Sequence, residues 1–257
     1  MLFTRAICRS PAENFAEGIT TARLGAPRYA EALRQHEAYA DALRRCGLDV
    51  TMLAPDPRYP DSTFVEDTAV LVGHSAIVTR PGASRRAGEA TEMRTALGGF
   101  FAALQAIEPP GTLDGGDVCE IESRIFIGLS ERTNGAGALQ LSNFVEAEGR
   151  TPALIDIRGI PGVLHLKSGI ASLGDDRLVA IDTLAENPAF ADFEIVRVPA
   201  GEEYAANAVR INDLVLIAAG FPRFAASLAR LGYPTIALEM SEFQKMDGGL
   251  SCLSLRW

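Results

Sequence analysis

The chain has 257 residues, 47% of them hydrophobic and 22% charged, with a formal net charge of -9. That is globular composition with ample length for a core, which excludes disordered and fibrous classes, and an acidic chain without Lys/Arg runs longer than a pair argues against nucleic-acid binding. Four scattered cysteines without a C-x-x-C pair, no secretory leader, and a longest apolar run (Leu214 to Phe221) far below the roughly 20 residues of a membrane span read as a cytoplasmic chain with reduced thiols and no membrane contact.

In chain order, Leu2 to Arg9 reads as a strand, Arg28 to Cys46 with Gly47 after it as a helix, and Leu48 to Leu53 as a strand. Four hairpins follow. Their first strands begin in Glu66-Asp67-Thr68-Ala69-Val70, Gly116-Asp117-Val118-Cys119-Glu120, Ser168-Gly169-Ile170-Ala171-Ser172 and Ala206-Asn207-Ala208-Val209-Arg210. Their second strands are Ala76 to Thr79, Ile125 to Gly128, Leu178 to Ile181 and Leu214 to Ile217, reached through turn-forming residues such as Gly73-His74-Ser75 and Asn212-Asp213. Helices are expected over Ala87 to Ile107, Gly135 to Glu148, Thr183 to Phe193 and Pro222 to Leu231. The last opens on proline and closes before Gly232. Pro234 to Leu238 reads as a strand, and Gly248-Gly249-Leu250-Ser251-Cys252 repeats the hairpin-start pattern a fifth time.

From Asp67 through Asp117, Gly169 and Asn207 to Gly249, the pattern returns about every 40 to 50 residues, a period typical of repeat architectures. The unit is hairpin, helix, strand. The first helix and strand precede any hairpin, so their hairpin must be supplied by the C-terminus, and the chain closes on itself. Units that cannot bury their own faces must stack or circularise. Five of them without a linker, read as one domain over residues 1–257, favour a ring, against the bland alternative of two unrelated α/β domains. A ring brings Glu66, Asp67, Asp114, Asp117, His165, Asn207, Asp247 and Cys252 to a common axis.

Among these, Cys252 lies beside paired glycines at the convergent end of a repeat, whereas Cys8, Cys46 and Cys119 fall in strands or on a helix's last turn and read as structural. His165, in an otherwise apolar strand entry, reads as a general acid/base. His36 and His74 read as solvated. A thiol, an imidazole and an acid are the minimal set for covalent thiol catalysis. The carboxylates of Asp61, Glu66, Asp67, Asp114 and Asp117 fit turn acids, a hard-cation site, or a planar guanidinium that takes bidentate carboxylates. The arginines of Arg80 to Arg86 and Arg132 would then hold an anionic tail, which together describes an arginine-like amino acid.

The motifs Phe64-Val65-Glu66-Asp67, Arg80-Pro81-Gly82, Asp114-Gly115-Gly116-Asp117-Val118, Ile127 to Asn134, Leu164-His165-Leu166-Lys167, Tyr204-Ala205-Ala206-Asn207 and Asp247 to Cys252 resemble the dimethylarginine dimethylaminohydrolase family over nearly the whole chain. The resemblance implies a five-bladed ββαβ propeller, the pentein fold, with the active site on its axis. It implies Cys252 as nucleophile, His165 as general acid/base and Asp114 as the acid of the triad. Glu66 and Asp67 match a guanidinium-binding pair and Asp61 a further substrate contact. Arg85 and Arg132 match positions for the α-carboxylate, with the loop spacing leaving the register open between Arg85 and Arg86. Ile19 matches a contact from an N-terminal lid, expected to be mobile when empty, and Met246 a backbone contact. No cofactor or metal is implied.

The implied reaction is thiolate attack on the guanidino carbon, loss of an amine protonated by His165, and hydrolysis of the thiouronium to citrulline. Arginine deiminase is the nearest rival. It is disfavoured by the absence of room for an extra helical domain and by Lys167, where that family has an acid two residues after its histidine. Amidinotransfer, hydrolysis of another N-substituted arginine, and non-catalytic ribosome-binding relatives are further alternatives; the last lack the Cys–His–acid set. Relatives occur as monomers and homodimers, and no heptad pattern decides between them.

Overall fold

The computed structural model describes residues 2–257. In chain order the elements are β1 (Arg5–Arg9), α1 (Tyr29–Arg45), β2 (Asp49–Leu53), β3 (Ala69–Val72), β4 (Ser75–Val78), α2 (Glu89–Leu97), β5 (Leu104–Ala106), β6 (Val118–Ile121), β7 (Arg124–Leu129), α3 (Gly135–Ala147) and β8 (Thr151–Asp156). They continue with β9 (Ile170–Gly174), β10 (Arg177–Ala180), α4 (Asp182–Ala185), β11 (Glu194–Arg197), β12 (Val209–Ile211), β13 (Leu214–Ala218), α5 (Pro222–Arg230), β14 (Thr235–Leu238), α6 (Ser241–Gln244) and β15 (Leu255–Arg256). The strands form five three-stranded sheets, β15-β1-β2, β3-β4-β5, β6-β7-β8, β9-β10-β11 and β12-β13-β14. In each, an antiparallel pair is joined by a parallel third strand that returns after a helical connection. This is the five-bladed propeller expected from the repeat.

Ring closure is made by the chain ends. Strand β15 pairs antiparallel with β1, Ala6 opposite Arg256 and Ile7 opposite Leu255, and Trp257 exchanges backbone hydrogen bonds with Arg5. Apolar side chains bury between consecutive blades rather than in one central mass. One cluster joins three consecutive blades around Phe126, Phe190 and Phe224, and another joins the closing blade to its neighbour around Phe15, Tyr39 and Phe243. Burial of this kind is worth about 1.5–3 kcal/mol per large side chain, so each blade is held by both neighbours.

Two helices are shorter than their pattern suggested. The stretch Ala87 to Ile107 divides into α2 and β5 because Gly98-Gly99 ends the helix and Phe100 and Phe101 turn back onto Trp257. Thr183 to Phe193 holds one helical turn, since Pro188 cannot continue it; Asn187 instead caps a short 3₁₀ turn by accepting from the Ala189 N–H. The repeated motifs themselves are not strand starts. Each is a single 3₁₀ turn just before the first strand of its blade, at Val65–Thr68, Gly115–Asp117, Leu166–Ser168, Glu203–Ala206 and Ser251–Leu253.

Candidate active site

Those five turns make a closed hydrogen-bonded circle around the axis. Asp67 Oδ1 accepts the Gly116 N–H, Asp117 Oδ1 the Leu166 N–H, and Asn207 Oδ1 the Ser251 N–H. Asn207 Nδ2 donates to the Lys167 carbonyl, and Ser251 Oγ donates to Glu66 Oε2, which completes the circle. Short polar side chains at turns satisfy backbone groups of the next turn, which is why acids and amides recur there. Gly115 and Gly249 are required by close approach: a Cβ on either would collide with Glu66 or Asn207.

On one side of this circle lies a small cavity of about 30 Å³ lined by Cys252, His165, Asp67, Arg86, Arg132 and Asp61. His165 Nε2 is 3.1 Å from Asp114 Oδ2, and Asp114, fully buried, also accepts the Gly82 N–H at 2.8 Å. Burial alone would discharge the imidazole, but the carboxylates of Asp67, Asp117 and Asp114 outweigh it and raise His165 to about 9. It is therefore an imidazolium at neutral pH. Burial, reinforced by the carboxylates of Glu66 and Asp67, pushes the Cys252 thiol up to about 12. The resting pair is a neutral thiol beside a charged acid, so a thiolate needs an arriving cation to stabilise it.

Asp67 is held as a carboxylate, near 2, because His165 and Arg86 outweigh the cost of its burial. Arg86 Nη1 donates to Asp67 at 2.6 Å and its other nitrogens grip Glu89. At the lid, Ile19 N–H donates to both Asp61 oxygens at 3.1 and 3.0 Å, and burial pushes the Asp61 carboxyl up. Thr20 and Thr21 donate to Asp247, whose backbone is left-handed at φ 57°, and Thr20 also donates to the Lys245 carbonyl. The lid is thus pinned shut by two carboxylates.

The structure brings together Cys252, His165, Asp114, Asp67, Asp61, Ile19, Arg132 and Met246. Two expected residues fall elsewhere. Arg85 is exposed, and its neighbour Arg86 faces the cavity, because the 3₁₀ turn Ser84–Arg86 directs successive side chains to different sides. The carboxylate of Glu66 turns away from the cavity. It binds Lys167 Nζ at 2.6 Å and Ser251 Oγ at 2.6 Å, and faces an axial channel of about 180 Å³ also lined by Arg256. Asp247, expected to converge with the other polar residues, lines the cavity, as do Phe64, Leu164 and Gly248, which were not singled out as site residues. Gly248 offered a signal, since a Cβ at that position would strike the Phe64 ring.

The other expectations divide similarly. Cys8, Cys46 and Cys119 are buried thiols in β1, at the end of α1 and in β6, away from the cavity. His74 is exposed in its turn. His36 is buried, not solvated. It shares a face of α1 with Ala32, Tyr39, Ala40 and Leu43, packs near Phe243, and is lowered by burial to about 4. Asp67, Asp114 and His165 approach closely enough to hold a metal ion, yet each already has a protein partner. A buried donor set in which His165 pairs with Asp114 and Asp67 pairs with Arg86 is better suited to proton transfer than to a resident cation. Among the described residues no helix is long and apolar enough to cross a membrane.

No family model matches the chain. It is 42% identical to N(G),N(G)-dimethylarginine dimethylaminohydrolase of Pseudomonas aeruginosa over 257 residues, covering 100% of each chain. Among solved structures, a mutant of the Pseudomonas aeruginosa enzyme complexed with citrulline matches with a TM-score of 0.97 at 41% identity over 100% of both chains. The N-terminal domain of ArgZ, a cyanobacterial arginine dihydrolase, matches with a TM-score of 0.87 at 17% identity, covering 100% of this chain and 97% of that one, a likeness of fold.

Proposed function

The chain belongs to the dimethylarginine dimethylaminohydrolase family, and from that premise we propose that Cys252, His165 and Asp114 carry the family's reaction. The activity is hydrolysis of N-omega-methylated arginines to citrulline and an alkylamine. The observation that supports the assignment of residues is the small cavity lined by a thiol and by a histidine ion-paired to a buried aspartate, with further carboxylates and arginines around them.

The chemistry follows from the charges. A guanidinium entering beside Asp67 places a cation against Cys252, the thiol proton leaves to solvent, and the thiolate so stabilised attacks the guanidino carbon with its lone pair. The C–N bond to the methylated nitrogen breaks, and His165, already protonated, gives its proton to that nitrogen so that a neutral amine departs. Asp114 keeps the imidazole oriented and stabilises its charge. The neutral His165 then takes a proton from water, which attacks the thiouronium carbon and releases citrulline and the thiol. Arg132, which lines the cavity, suits the substrate α-carboxylate, while Arg86 is held by Asp67 and Glu89, and Asp61 under the lid suits the substrate ammonium. No step calls for a cofactor.

The test is to incubate the purified protein with asymmetric dimethylarginine and separately with arginine, and to quantify citrulline with dimethylamine or ammonia. Citrulline and dimethylamine formed far faster than product from arginine is the expected result. Citrulline mainly from arginine would shift the assignment to a compact deiminase.

A further inference from the structure

Cys252 stands at the junction of two cavities. One is the 30 Å³ cavity beside the lid; the other is a groove of about 670 Å³. Only Leu164, Asp247, Gly248 and Cys252 are common to both. The groove runs outward between the lid (Thr21, Leu24) and the loop at Pro161–Leu164, past Asn207, to the start of α4 at Asp182 and Thr183. Its charged lining residues are Asp182, Glu203 and Asp247, with no lysine or arginine among the described lining residues. Asp182 meets Arg197 beyond the groove wall, at 3.2 Å. The chamber that holds His165 carries Arg86 and Arg132 as well as acids.

A covalent mechanism sets a traffic problem. Once the thiouronium forms, the amino-acid tail stays attached and the lid stays shut over it, with Ile19 bound to Asp61 and Thr21 to Asp247. The amine must leave, and water must enter, before that lid opens. A chamber of 30 Å³ holds one or two waters on this scale and gives an amine nowhere to go, whereas the groove is more than twentyfold larger and starts at the same sulfur. The amine leaves the carbon neutral and, once in the solvent of the groove, takes up a further proton below about pH 10, as a lysine does, so it travels outward as a cation with apolar methyls. A groove with acids and apolar walls and without basic residues matches that ion.

We propose that this groove is an amine port, a binding and exit site for small alkylammonium ions and the entrance for the hydrolytic water. The proposal rests on the methylarginine reading above. Because the step is reversible, the port also admits a foreign amine to the intermediate. The ammonium first gives its extra proton to solvent; the lone pair of the neutral amine then attacks the thiouronium carbon, one N–H proton passes to the neutral His165, and the C–S bond breaks to regenerate the Cys252 thiolate. Ethylamine and asymmetric dimethylarginine would thus yield N-ethylarginine and dimethylamine.

The experiment compares the wild-type protein with T183K and T183Q, changes at an exposed position on the groove wall. Each is given asymmetric dimethylarginine with rising ethylamine, and citrulline and N-ethylarginine are measured by mass spectrometry. Inhibition by dimethylammonium is measured alongside. Expected are N-ethylarginine from wild type and T183Q, dimethylammonium inhibition that lowers kcat rather than only raising KM, and a drop of about fivefold in both effects for T183K, roughly 1 kcal/mol. Equal amine sensitivity in T183K and wild type overturns the proposal, as does a rise in the KM for methylarginine that parallels the loss of amine sensitivity. If no citrulline forms without added amine, the methylarginine reading fails. Dimethylammonium binding to wild type against T183K, read by NMR line broadening, then still decides the port.

Discussion

The catalytic cavity and the axial channel lie back to back, one layer of 3₁₀ turns apart, and adjacent carboxylates face into each. Asp67 reaches the cavity, where Arg86 holds it and His165 draws charge from it. Glu66 reaches the channel, where Lys167, Ser251 and Arg256 surround it. Both are buried carboxylates in the same turn. Their difference shows that charge type alone does not make a catalytic residue. The side of the wall to which the turn directs it decides whether a carboxylate tunes a proton or braces the nucleophile's backbone.

The largest test of that division is at the nucleophile. Cys252→Ser should lower turnover by about 10⁴-fold or more while still binding substrate, since a serine in this acidic surrounding has no base to deprotonate it. Near-normal turnover would remove the covalent mechanism altogether. Next comes the pair itself. Asp67→Asn should lower kcat by about 10²–10³-fold, the range for a disturbed general acid, because His165 loses a carboxylate that keeps it charged. Glu66→Gln should cost only about tenfold in kcat. It should instead lower folding stability by about 3 kcal/mol in denaturant titration, because Lys167 is left half-buried without its counter-charge. If the two variants exchanged these phenotypes, the assignment of the two sides would be reversed.

The electrostatic half of the comparison is read at the sulfur. Thiolate absorbance near 240 nm should show Cys252 titrating near 12 in the free protein, and lower in Glu66→Gln, since Glu66 is a leading carboxylate raising it. A saturating guanidinium ligand should lower it further. A ligand-independent titration would mean that substrate cation does not activate the thiol.

Two histidines give the smaller, pH-dependent effects, with opposite signs. His165 is raised in the folded chain to about 9, above its ordinary value near 6.5, so its contribution is full below about pH 6.5 and is lost as pH rises through 9. The stability gap between wild type and His165→Gln should shrink by about 3 kcal/mol from pH 6 to pH 10. His36 is lowered to about 4, so the unfolded chain takes up its proton first and stability falls as pH drops from about 6.5 towards 4. His36→Leu should recover about 2 kcal/mol at pH 5 relative to neutral pH, a value checked by thermal melts at both. A wild-type acid limb equal to that of the variant would mean that His36 is accessible.

His36 also shows how sequence signals mislead. Its neighbours Arg34 and Glu37 suggest an exposed run, but the spacing Ala32, His36, Tyr39, Leu43 is that of one buried helical face. The five-fold unit, the closure of the chain ends and the grouping of Cys252, His165, Asp114 and Asp67 were legible because repetition and polar motifs at fixed offsets survive in one dimension. The third strand β5 was hidden inside an apolar, helix-like stretch, since short strands and buried helix segments share composition. The groove beside Cys252 left no motif at all, because its walls come from the lid, the loop before His165 and α4, joined only in the ring.

By itself the amino-acid order determined the repeating unit, the candidate reacting groups and the family resemblance, all of which depend on residue type and spacing. Tertiary structure alone decided between Glu66 and Asp67, and between Arg85 and Arg86. In a 3₁₀ turn consecutive side chains point about a third of a turn apart, so a step of one residue moves a charge across the wall. Which face then counts as the cavity is set by the neighbouring blades, through contacts such as Lys167 to Glu66 and Arg86 to Asp67 that join residues far apart in the chain.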